Sequence, residues 1–590
     1  MSKQKQNTPE KPVKESTLQR ILRYVGRYPL ALVGSIVFAL LSVAATLFVP
    51  VFFGDAVDCI VEYGVQWERL KTLFFQTAIA VAVAAITQWL MSLCNNYVSC
   101  NVVRDLRADA FNKLGALPLR YIDGHSHGDT VSRVVADADQ FSDGLLMGFT
   151  QFLTGIATIL GTIVFMLVTN LKIGLVVVLV TPISLFVARF VATHTHKFFV
   201  EQTQTRGEQT AFAEEAIGGL KTTIAFAHED ENERKFEEIN ARLEKASLNA
   251  TFYSSLTNPS TRFINNLVYA LVALLGALDV IKGVTYAVGG VFSVGDLTKF
   301  LSYANQYTKP FNEISGVITE LKSAFTCAER IFELIDETEE VSDAQSATLD
   351  GVVGNVTLEN VYFSYEPEQK LIEDLSLTVT PGQRIAIVGK TGSGKTTLIN
   401  LLMRFYDVTD GAVKVEGKDI RALTRTSLRE NYGMVLQETW LKEGTVRENL
   451  KLGNPDATDE EMIQAAKAAH AHSFIKKMEK GYDTVLGANG ALSEGQKQLL
   501  CISRIMLTKP PMLILDEATS SIDTRTELKI SDAFQKLMEG RTSFVVAHRL
   551  STIVHADRIL VMENGHVVEQ GTHEELLAKD GAYAKLYNAV

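Results

Sequence analysis

Two kinds of residue are scarce in this sequence of 590 residues: cysteine throughout, and charged side chains in long stretches of the first half. The five cysteines have no paired spacing, which excludes a secreted disulfide framework and a thiolate metal site. Acidic residues exceed basic ones, 68 to 57, so the formal net charge is −11. Because 47% of the residues are hydrophobic, an acidic disordered protein is also excluded. The composition indicates a folded protein with membrane and cytosolic parts.

Three long runs without charge indicate membrane spans, because about 20 apolar residues are enough to cross a bilayer. They extend from Tyr28 to Gly54, from Thr72 to Val103 and from Gly144 to Leu171. Shorter apolar runs at 173–188 and 263–278 predict a fourth and a fifth span. At least four spans are therefore expected, which excludes a soluble P-loop kinase or DNA-repair ATPase.

A phosphate-binding loop is predicted at 389–396, which reads Gly-Lys-Thr-Gly-Ser-Gly-Lys-Thr. It lies between an apolar strand, Ile385–Val388, and a stretch with helical spacing, as the GxxxxGK[ST] motif requires. Glycines let backbone N–H groups approach phosphates, and the following helix N-terminus presents more of them. We expect ATP here, with Lys395 on the β- and γ-phosphates and Thr396 on Mg²⁺.

A second apolar strand, Met512–Leu515, ends in two carboxylates, Asp516 and Glu517. In P-loop folds such a strand delivers an aspartate to Mg²⁺, and the adjacent Glu517 is placed to polarise the attacking water. The alternative is a pair of carboxylates on a solvated turn.

The number of spans depends on where the two ends of the chain lie. Seven Lys or Arg fall within the first 27 residues, which the positive-inside rule places in the cytoplasm. An ATP-binding domain must also be cytoplasmic, so the number of spans is even. The segment 291–318 is then the candidate sixth span, although it carries Asp296, Lys299 and Lys309. The alternative is a soluble helix beside the membrane. No cleavable signal peptide is expected, and we predict a multi-pass protein of the cell membrane.

The predicted fold class is a polytopic all-α membrane domain, with six transmembrane helices and long cytoplasmic extensions, followed by an α/β P-loop NTPase domain. The extensions are predicted because residues 196–250 favour solvated helix, although a plain helical hairpin is an alternative. The predicted divisions are a basic cytoplasmic leader (1–27), a membrane domain (28–335), a linker (336–353) and a nucleotide-binding domain (354–590). The spans are predicted at about 28–54, 72–96, 146–170, 173–195, 260–281 and 291–318.

Further motifs in the second half resemble those of ABC transporters. Leu492–Gln496, which reads LSEGQ, resembles the signature motif LSGGQ, and Ser520–Asp523 resembles the D-loop. Gln437 resembles the Q-loop glutamine, His548 the switch histidine, and Tyr365 the aromatic residue that stacks on adenine. The resemblance implies that the P-loop domain is an ABC nucleotide-binding domain.

The resemblance also implies roles for individual residues. Glu517, His548 and Gln437 are the expected catalytic residues, and Thr396, Gln437 and Asp516 are the expected Mg²⁺ ligands. The expected nucleotide-binding residues are Tyr365, Gly389, Lys390, Thr391, Gly392, Ser393, Gly394, Lys395, Thr396, Thr397, Asp516, Ser493, Glu494, Gly495 and Gln496.

The first half resembles the six-helix membrane domain of ABC exporters through weaker motifs. These are Gly128–Arg133, followed by Asp137, and Glu215–Glu229 with its pair of glycines. In the family such neighbourhoods hold short coupling helices that dock on nucleotide-binding domains. The alternative is that they are ordinary helix turns.

In such transporters two nucleotide domains close head to tail over two ATP molecules, so one chain is a half-transporter. The P-loop face of this chain matches the family, but its signature carries Glu494 in place of glycine, and 486–490 lacks a glutamate that exporters often have. Ser493 and Gln496 have capping-box spacing. Glu494 favours the helix dipole yet lies near a phosphate of like charge. We expect a second half-transporter chain with an intact signature and a weakened catalytic carboxylate, as in bacterial heterodimeric multidrug exporters. The alternative is a homodimer that tolerates Glu494.

The expected function is ATP-dependent export of an amphipathic or hydrophobic substrate, such as a drug-like compound, lipid or peptide, by alternating access. Aromatic residues in the spans, such as Phe152 and Trp89, suit such a substrate, but they are also usual on lipid-facing helices. A homodimeric lipid flippase and an ATP-gated channel or sensor are the alternatives. Membrane lipids are expected partners, and nucleic acid is not.

Overall fold

The computed structural model describes residues 16–589 apart from several short segments. The segments left out are 62–64, 286–290, 344–345, 367–368, 370, 437–438, 488–491, 517–521 and 547–552. The chain divides into two compact units. The membrane unit comprises Met1–Leu117 and His125–Thr338, and the nucleotide unit comprises Pro118–Gly124 and Glu339–Val590.

The membrane unit is helical throughout most of its described length. Its helices are α1 (Thr17–Val25), α2 (Pro29–Val61), α3 (Trp67–Ala116), α5 (His127–Val134), α6 (Ala136–Met147), α7 (Leu153–Thr169), α8 (Leu171–Val180), α9 (Pro182–Gly218), α10 (Leu220–Phe226), α11 (Glu229–Ser255), α12 (Thr257–Ile281) and α13 (Val294–Ile335). The short helix α4 (Leu119–Gly124) belongs to the nucleotide unit.

Local sequence explains where several of these helices begin. Asn170 separates α7 from α8, and its side-chain oxygen accepts a hydrogen bond from the Ile173 N–H at 3.1 Å. Pro182 occupies the first turn of α9, where its missing N–H costs nothing. Ser293 caps α13 and forms a capping box with Asp296. A π-helical turn, Gly148–Phe152, joins α6 to α7.

Four helical stretches of the described chain are long and apolar enough to cross a membrane: Pro29–Ile60, Trp67–Ala116, His127–Thr169 and Glu229–Ile281. They overlap the first, second, third and fifth predicted spans, whose bounds stay predictions. The fourth span falls on α8 and α9, and the sixth falls on α13, so both stay predictions. At 50 residues, α3 is about 75 Å long, far more than the roughly 30 Å hydrocarbon core.

Charged residues at the start of α13 have partners within the membrane unit. The Lys299 ammonium lies 2.6 Å from a carboxylate oxygen of Asp55, on α2, and 3.1 Å from one of Asp296. Asp58 on α2 accepts hydrogen bonds from the Ser293 hydroxyl (2.7 Å) and the Gly295 N–H (2.6 Å). Pairing within the protein is how ionisable residues are accommodated at membrane depth, so Asp296 and Lys299 are compatible with a sixth span.

The described residues of the nucleotide unit form three sheets. A four-stranded sheet has the order β2-β1-β4-β5, a six-stranded sheet has the order β12-β11-β3-β10-β9-β6, and β7 pairs with β8. The strands are β1 (Val356–Phe363), β2 (Ile372–Val379), β3 (Arg384–Gly389), β4 (Asp410–Val415), β5 (Lys418–Asp419), β6 (Tyr432–Val435), β7 (Gly444–Thr445), β8 (Val485–Leu486), β9 (Met512–Asp516), β10 (Thr542–Val546), β11 (Arg558–Glu563) and β12 (His566–Gly571). The helices are α14 (Lys395–Leu402), α15 (Arg425–Glu430), α16 (Val446–Leu450), α17 (Asp459–Ala468), α18 (His472–Ile475), α19 (Glu494–Thr508), α20 (Thr524–Met538), α21 (His573–Ala578) and α22 (Ala582–Ala589).

The six-stranded sheet positions the candidate site. Strands β11, β3, β10, β9 and β6 run parallel, and all five residues of β9 and of β10 are buried. Such near-continuous apolar strands are typical of parallel sheets covered on both faces. Because the carboxyl ends of parallel strands share one edge of the sheet, β3 and β9 deliver the P-loop and Asp516 to the same edge.

Candidate nucleotide-binding site

The loop between β3 and α14 has the backbone of an anion cradle. Gly389, Gly392 and Gly394 adopt φ of +156°, +81° and +97°, which other residues rarely adopt. A Cβ atom on Gly389 would lie 2.3 Å from the Met562 carbonyl oxygen. A side chain at that position would therefore displace β11, and the loop needs glycine there.

Lys395 is the first residue of α14 and is 8% exposed. Its ammonium donates hydrogen bonds to the carbonyl oxygens of Gly389 (2.7 Å) and Lys390 (2.9 Å). Burial lowers the pKa of Lys395, and the Asp516 carboxylate opposes that shift. The cation is thus held across the mouth of the loop, where an anion would compensate its burial.

The polar groups of the loop fit the phosphates of ATP. Ser393 is 4% exposed, and its hydroxyl makes no hydrogen bond to any residue within the described parts of the chain. Gly394 is the N-cap of α14 and offers no capping side chain, so the first N–H groups of the helix are available to an oxyanion.

A magnesium ion also fits the chemistry of the residues present. Thr396 is exposed in the first turn of α14, and Asp516 ends β9 at the same sheet edge. Hydroxyl and carboxylate oxygens are the ligands that Mg²⁺ takes alongside substrate phosphates and water. The described residues contain no cluster of three His, Cys, Asp or Glu, so a dedicated metal cage is absent from them.

Tyr365 is joined to the P-loop helix. Its hydroxyl lies 3.3 Å from the Thr397 hydroxyl and 3.4 Å from the side-chain nitrogen of Asn400. Its ring packs edge-on against Phe363 and Tyr406, with centroids 5.0 Å apart in each pair. The aromatic residue expected at the adenine is therefore positioned beside α14.

The signature segment begins α19 as its sequence predicts. Ser493 is the N-cap, its hydroxyl accepts from the Gln496 N–H (3.3 Å), and the Gln496 side chain accepts from the Ser493 N–H (3.1 Å). The capping-box prediction is confirmed. Gly495 is buried, and a Cβ there would lie 2.5 Å from Cγ2 of Thr526 on α20.

Glu494 has partners that sequence reasoning did not anticipate. One carboxylate oxygen accepts a hydrogen bond from the Lys497 ammonium at 2.7 Å, and the other accepts from the Thr439 hydroxyl at 3.0 Å. These two bonds hold the pKa of Glu494 below its usual range. Because Thr439 is 55 positions away along the chain, no local pattern pointed to this contact.

Both coupling-helix neighbourhoods contain a short helix: α5 covers Gly128–Arg133, and α10 lies within Glu215–Glu229. In the membrane unit, Arg330 of α13 holds Asp129 of α5 (2.5 Å) and Asp137 (3.0 Å). A further short helix just upstream, α4, packs within the nucleotide unit. Its Arg120 donates to the Tyr365 carbonyl oxygen at 2.8 Å, and the Tyr406 hydroxyl donates to Asp123. The docking of the two neighbourhoods on nucleotide-binding domains stays a prediction.

Several predicted site residues lie outside the described residues. They are Gln437, Glu517 and His548, the first two residues of the D-loop, and positions 488–490. Strands β6, β9 and β10 end at Val435, Asp516 and Val546, within two residues of the three predicted catalytic positions.

Comparison with known proteins places the chain in a family. Residues 32–311 match the family model of the ABC transporter transmembrane region, and residues 372–520 match the family model described as ABC transporter. A fatty acid ABC transporter ATP-binding/permease protein of Mycobacterium tuberculosis is 41% identical over 88% of this chain and 81% of its own length. An uncharacterized ABC transporter ATP-binding protein of Bacillus subtilis, YfiC, is 37% identical over 98% and 94%. A B. subtilis ATP-binding/permease protein named for multidrug export, YgaD, is 34% identical over 97% and 98%. The chain belongs to the ABC transporter family, as an ATP-hydrolysing half-transporter of the exporter type that joins a multi-pass membrane domain to one ATP-binding domain and functions in a dimer.

Proposed function

We propose that the chain, with a second half-transporter, exports an amphipathic or hydrophobic substrate across the cell membrane and that both its N-terminus and its nucleotide unit are cytoplasmic. The observation that carries the proposal is the presence, on one chain with a membrane unit, of both halves of a composite ATP site. These are the glycine cradle at 389–394 and the capped N-terminus of α19. Each of them can bind an anion. In the head-to-tail dimer that the family forms, the two features of one chain contribute to two different ATP sites.

Within the composite site each residue has a distinct task. Lys395 and the backbone of the loop bind and orient the phosphates, and Tyr365 supports the adenine. Bound Mg²⁺ would supply charge neutralisation at the phosphates, and Thr396, Asp516 and Gln437 are the residues to hold it. Glu517 orients and polarises the attacking water, and His548 stabilises the arrangement around the terminal phosphate.

We propose that the dimer is asymmetric. The support comes from the sequence of the signature face, where Glu494 stands in the first helical turn in place of glycine. The P-loop face retains every expected motif residue. A partner with an intact signature would complete the ATP site on this chain's P-loop, which then hydrolyses ATP. A homodimer would contain Glu494 in both sites.

The class of substrate is supported by the names of the relatives. They include a fatty acid transporter and proteins named for multidrug export. Fatty acids are amphipathic molecules, and we propose a substrate of that class for this chain.

The proposal is tested by measuring Mg²⁺-dependent ATP hydrolysis of the purified dimer with Glu517→Gln. We expect the variant to bind ATP but to lose at least about 100-fold in turnover, because it lacks the carboxylate that polarises water. Glu539→Gln, an exposed carboxylate at the end of α20, is the matched control and should hydrolyse normally. Full activity of Glu517→Gln would contradict the assigned role. The masses of the co-purified chains separate the homodimer from the heterodimer.

A further inference from the structure

The negative charge of Glu494, which stands in the signature segment in place of glycine, is paired with a positive charge on the same helix. Both oxygens of the Glu494 carboxylate are engaged, one by the Lys497 ammonium at 2.7 Å and the other by the Thr439 hydroxyl at 3.0 Å. Glu494 and Lys497 occupy positions i and i+3 of α19, which lie on one face of a helix. We call Glu494, Lys497 and Thr439 the signature clasp.

The clasp leaves the end of the helix open to an anion. The first backbone hydrogen bond of α19 runs from the Lys497 N–H to the Ser493 carbonyl oxygen, at 3.0 Å. The N–H groups of Glu494 and Gly495 precede that bond and point out of the helix end. A carboxylate with no partner beside these groups would repel a phosphate, whereas a paired carboxylate adds no net charge.

The clasp also fixes the carboxylate in position. Thr439 lies four residues after the end of β6, in a segment that α19 contacts a second time, where the Cys501 thiol approaches the Trp440 carbonyl oxygen at 3.9 Å. A glycine in place of Glu494 would make neither bond of the clasp. With Glu494, the start of α19 is therefore hydrogen-bonded to the segment that follows Gln437.

We propose that Lys497, assisted by Thr439, is a positioning residue that neutralises Glu494 and thereby keeps this signature able to receive the γ-phosphate of an ATP bound on the other chain. The proposal rests on the dimeric ATP site of the proposed function and adds one determinant to it. Lys497 touches no nucleotide itself; it acts through Glu494. The two chains close over both ATP molecules, so weaker binding at this composite site raises the ATP concentration required for turnover.

The test is a double-mutant cycle on the intact dimer, with ATP hydrolysis measured against ATP concentration. Lys497→Gln should raise KM for ATP about fivefold and change kcat less than twofold. The reason is that the substitution leaves the negative charge of Glu494 uncompensated and changes nothing else in the site. Lys497→Arg should restore the wild-type KM. In the Glu494→Gly background, adding Lys497→Gln should leave the KM of that background unchanged, because the charge that Lys497 neutralises is gone.

A surface ion pair elsewhere in the nucleotide unit provides the control. Lys536 and Asp532 form an i, i+4 pair at 2.5 Å on α20, and Lys536→Gln should leave KM unchanged. The clasp would be overturned if Lys497→Gln raised KM equally in the wild-type and Glu494→Gly backgrounds, or raised it in neither. Absence of ATP hydrolysis by the wild-type dimer would instead overturn the exporter function on which it rests.

Discussion

A methyl group added at Gly495 tests whether the signature helix and α20 pack as one block. The ideal Cβ would lie 2.5 Å from Cγ2 of Thr526 and 3.0 Å from Cγ2 of Ile522, whereas carbon atoms in contact are separated by about 3.5–4.0 Å. One methyl group must move by roughly 1 Å. Thr526 lies in the first turn of α20, where its N–H donates to Asp523 at 3.0 Å, and Ile522 lies in the D-loop, two residues before the helix. The substitution Gly495→Ala therefore displaces the end of the D-loop and the start of α20.

The energetic result is the difference of two effects. Overpacking costs about 1–3 kcal/mol, and replacing glycine by alanine in a helix returns up to about 1 kcal/mol. A net loss of about 1–2 kcal/mol should lower the melting temperature of the nucleotide unit by roughly 2–8 °C. Scanning fluorimetry of the detergent-purified protein measures this shift, and a parallel ATP hydrolysis assay should show reduced turnover.

Gly487→Ala is the matched control, because among the described residues no atom lies within 4 Å of a Cβ added there. It should leave the melting temperature and the turnover unchanged. The packing argument is refuted if Gly495→Ala melts and hydrolyses ATP as the wild type does, or if the two substitutions are equally harmful.

Three further perturbations follow from the contacts of single residues. Arg330→Ala removes the partner of Asp137, whose side chain is 9% exposed, and should lower the melting temperature of the intact protein by an amount equivalent to about 1–2 kcal/mol. Lys299→Met leaves Asp55 without its ammonium partner and should reduce the yield of monodisperse protein in size-exclusion chromatography, whereas Lys299→Arg should preserve it. Burial acts to raise the pKa of Glu416, but hydrogen bonds from three backbone N–H groups outweigh it and hold the pKa below its usual range. Glu416 therefore contributes its full stabilisation above the unfolded pKa of about 4.3, and this contribution is lost as pH falls through the lower folded pKa. The substitution Glu416→Gln should weaken the dependence of the melting temperature on pH between about pH 6 and pH 3.

Patterns that depend on neighbours in sequence predicted the structure well. The P-loop, its strand and its helix follow from eight consecutive residues, and the capping box of α19 follows from Ser493 and Gln496. The three longest uncharged runs all fall on helices long enough to span a membrane. In each case the physical cause, a helix terminus or an apolar run, lies within a short stretch of chain.

Contacts between distant segments could not be predicted in this way. The pairing of Lys299 with Asp55 joins two helices 244 positions apart, so the sequence showed only a polar stretch in a candidate span. The bond from Arg120 to the Tyr365 carbonyl oxygen spans 245 positions, so no local pattern indicated that α4 packs within the nucleotide unit. Glu494 showed an unfavourable charge in sequence, and only the fold reveals that Thr439, 55 positions away, engages it.

Active transport in inside-out vesicles is the most direct test of the central claim. The wild-type dimer and the Glu517→Gln dimer should be compared for uptake of a fluorescent amphipathic cation and of a labelled fatty acid. The account predicts that at least one of these accumulates above its external concentration, only with MgATP, and not with Glu517→Gln. Uptake that merely equilibrates and persists in Glu517→Gln would contradict an exporter and indicate an ATP-gated channel.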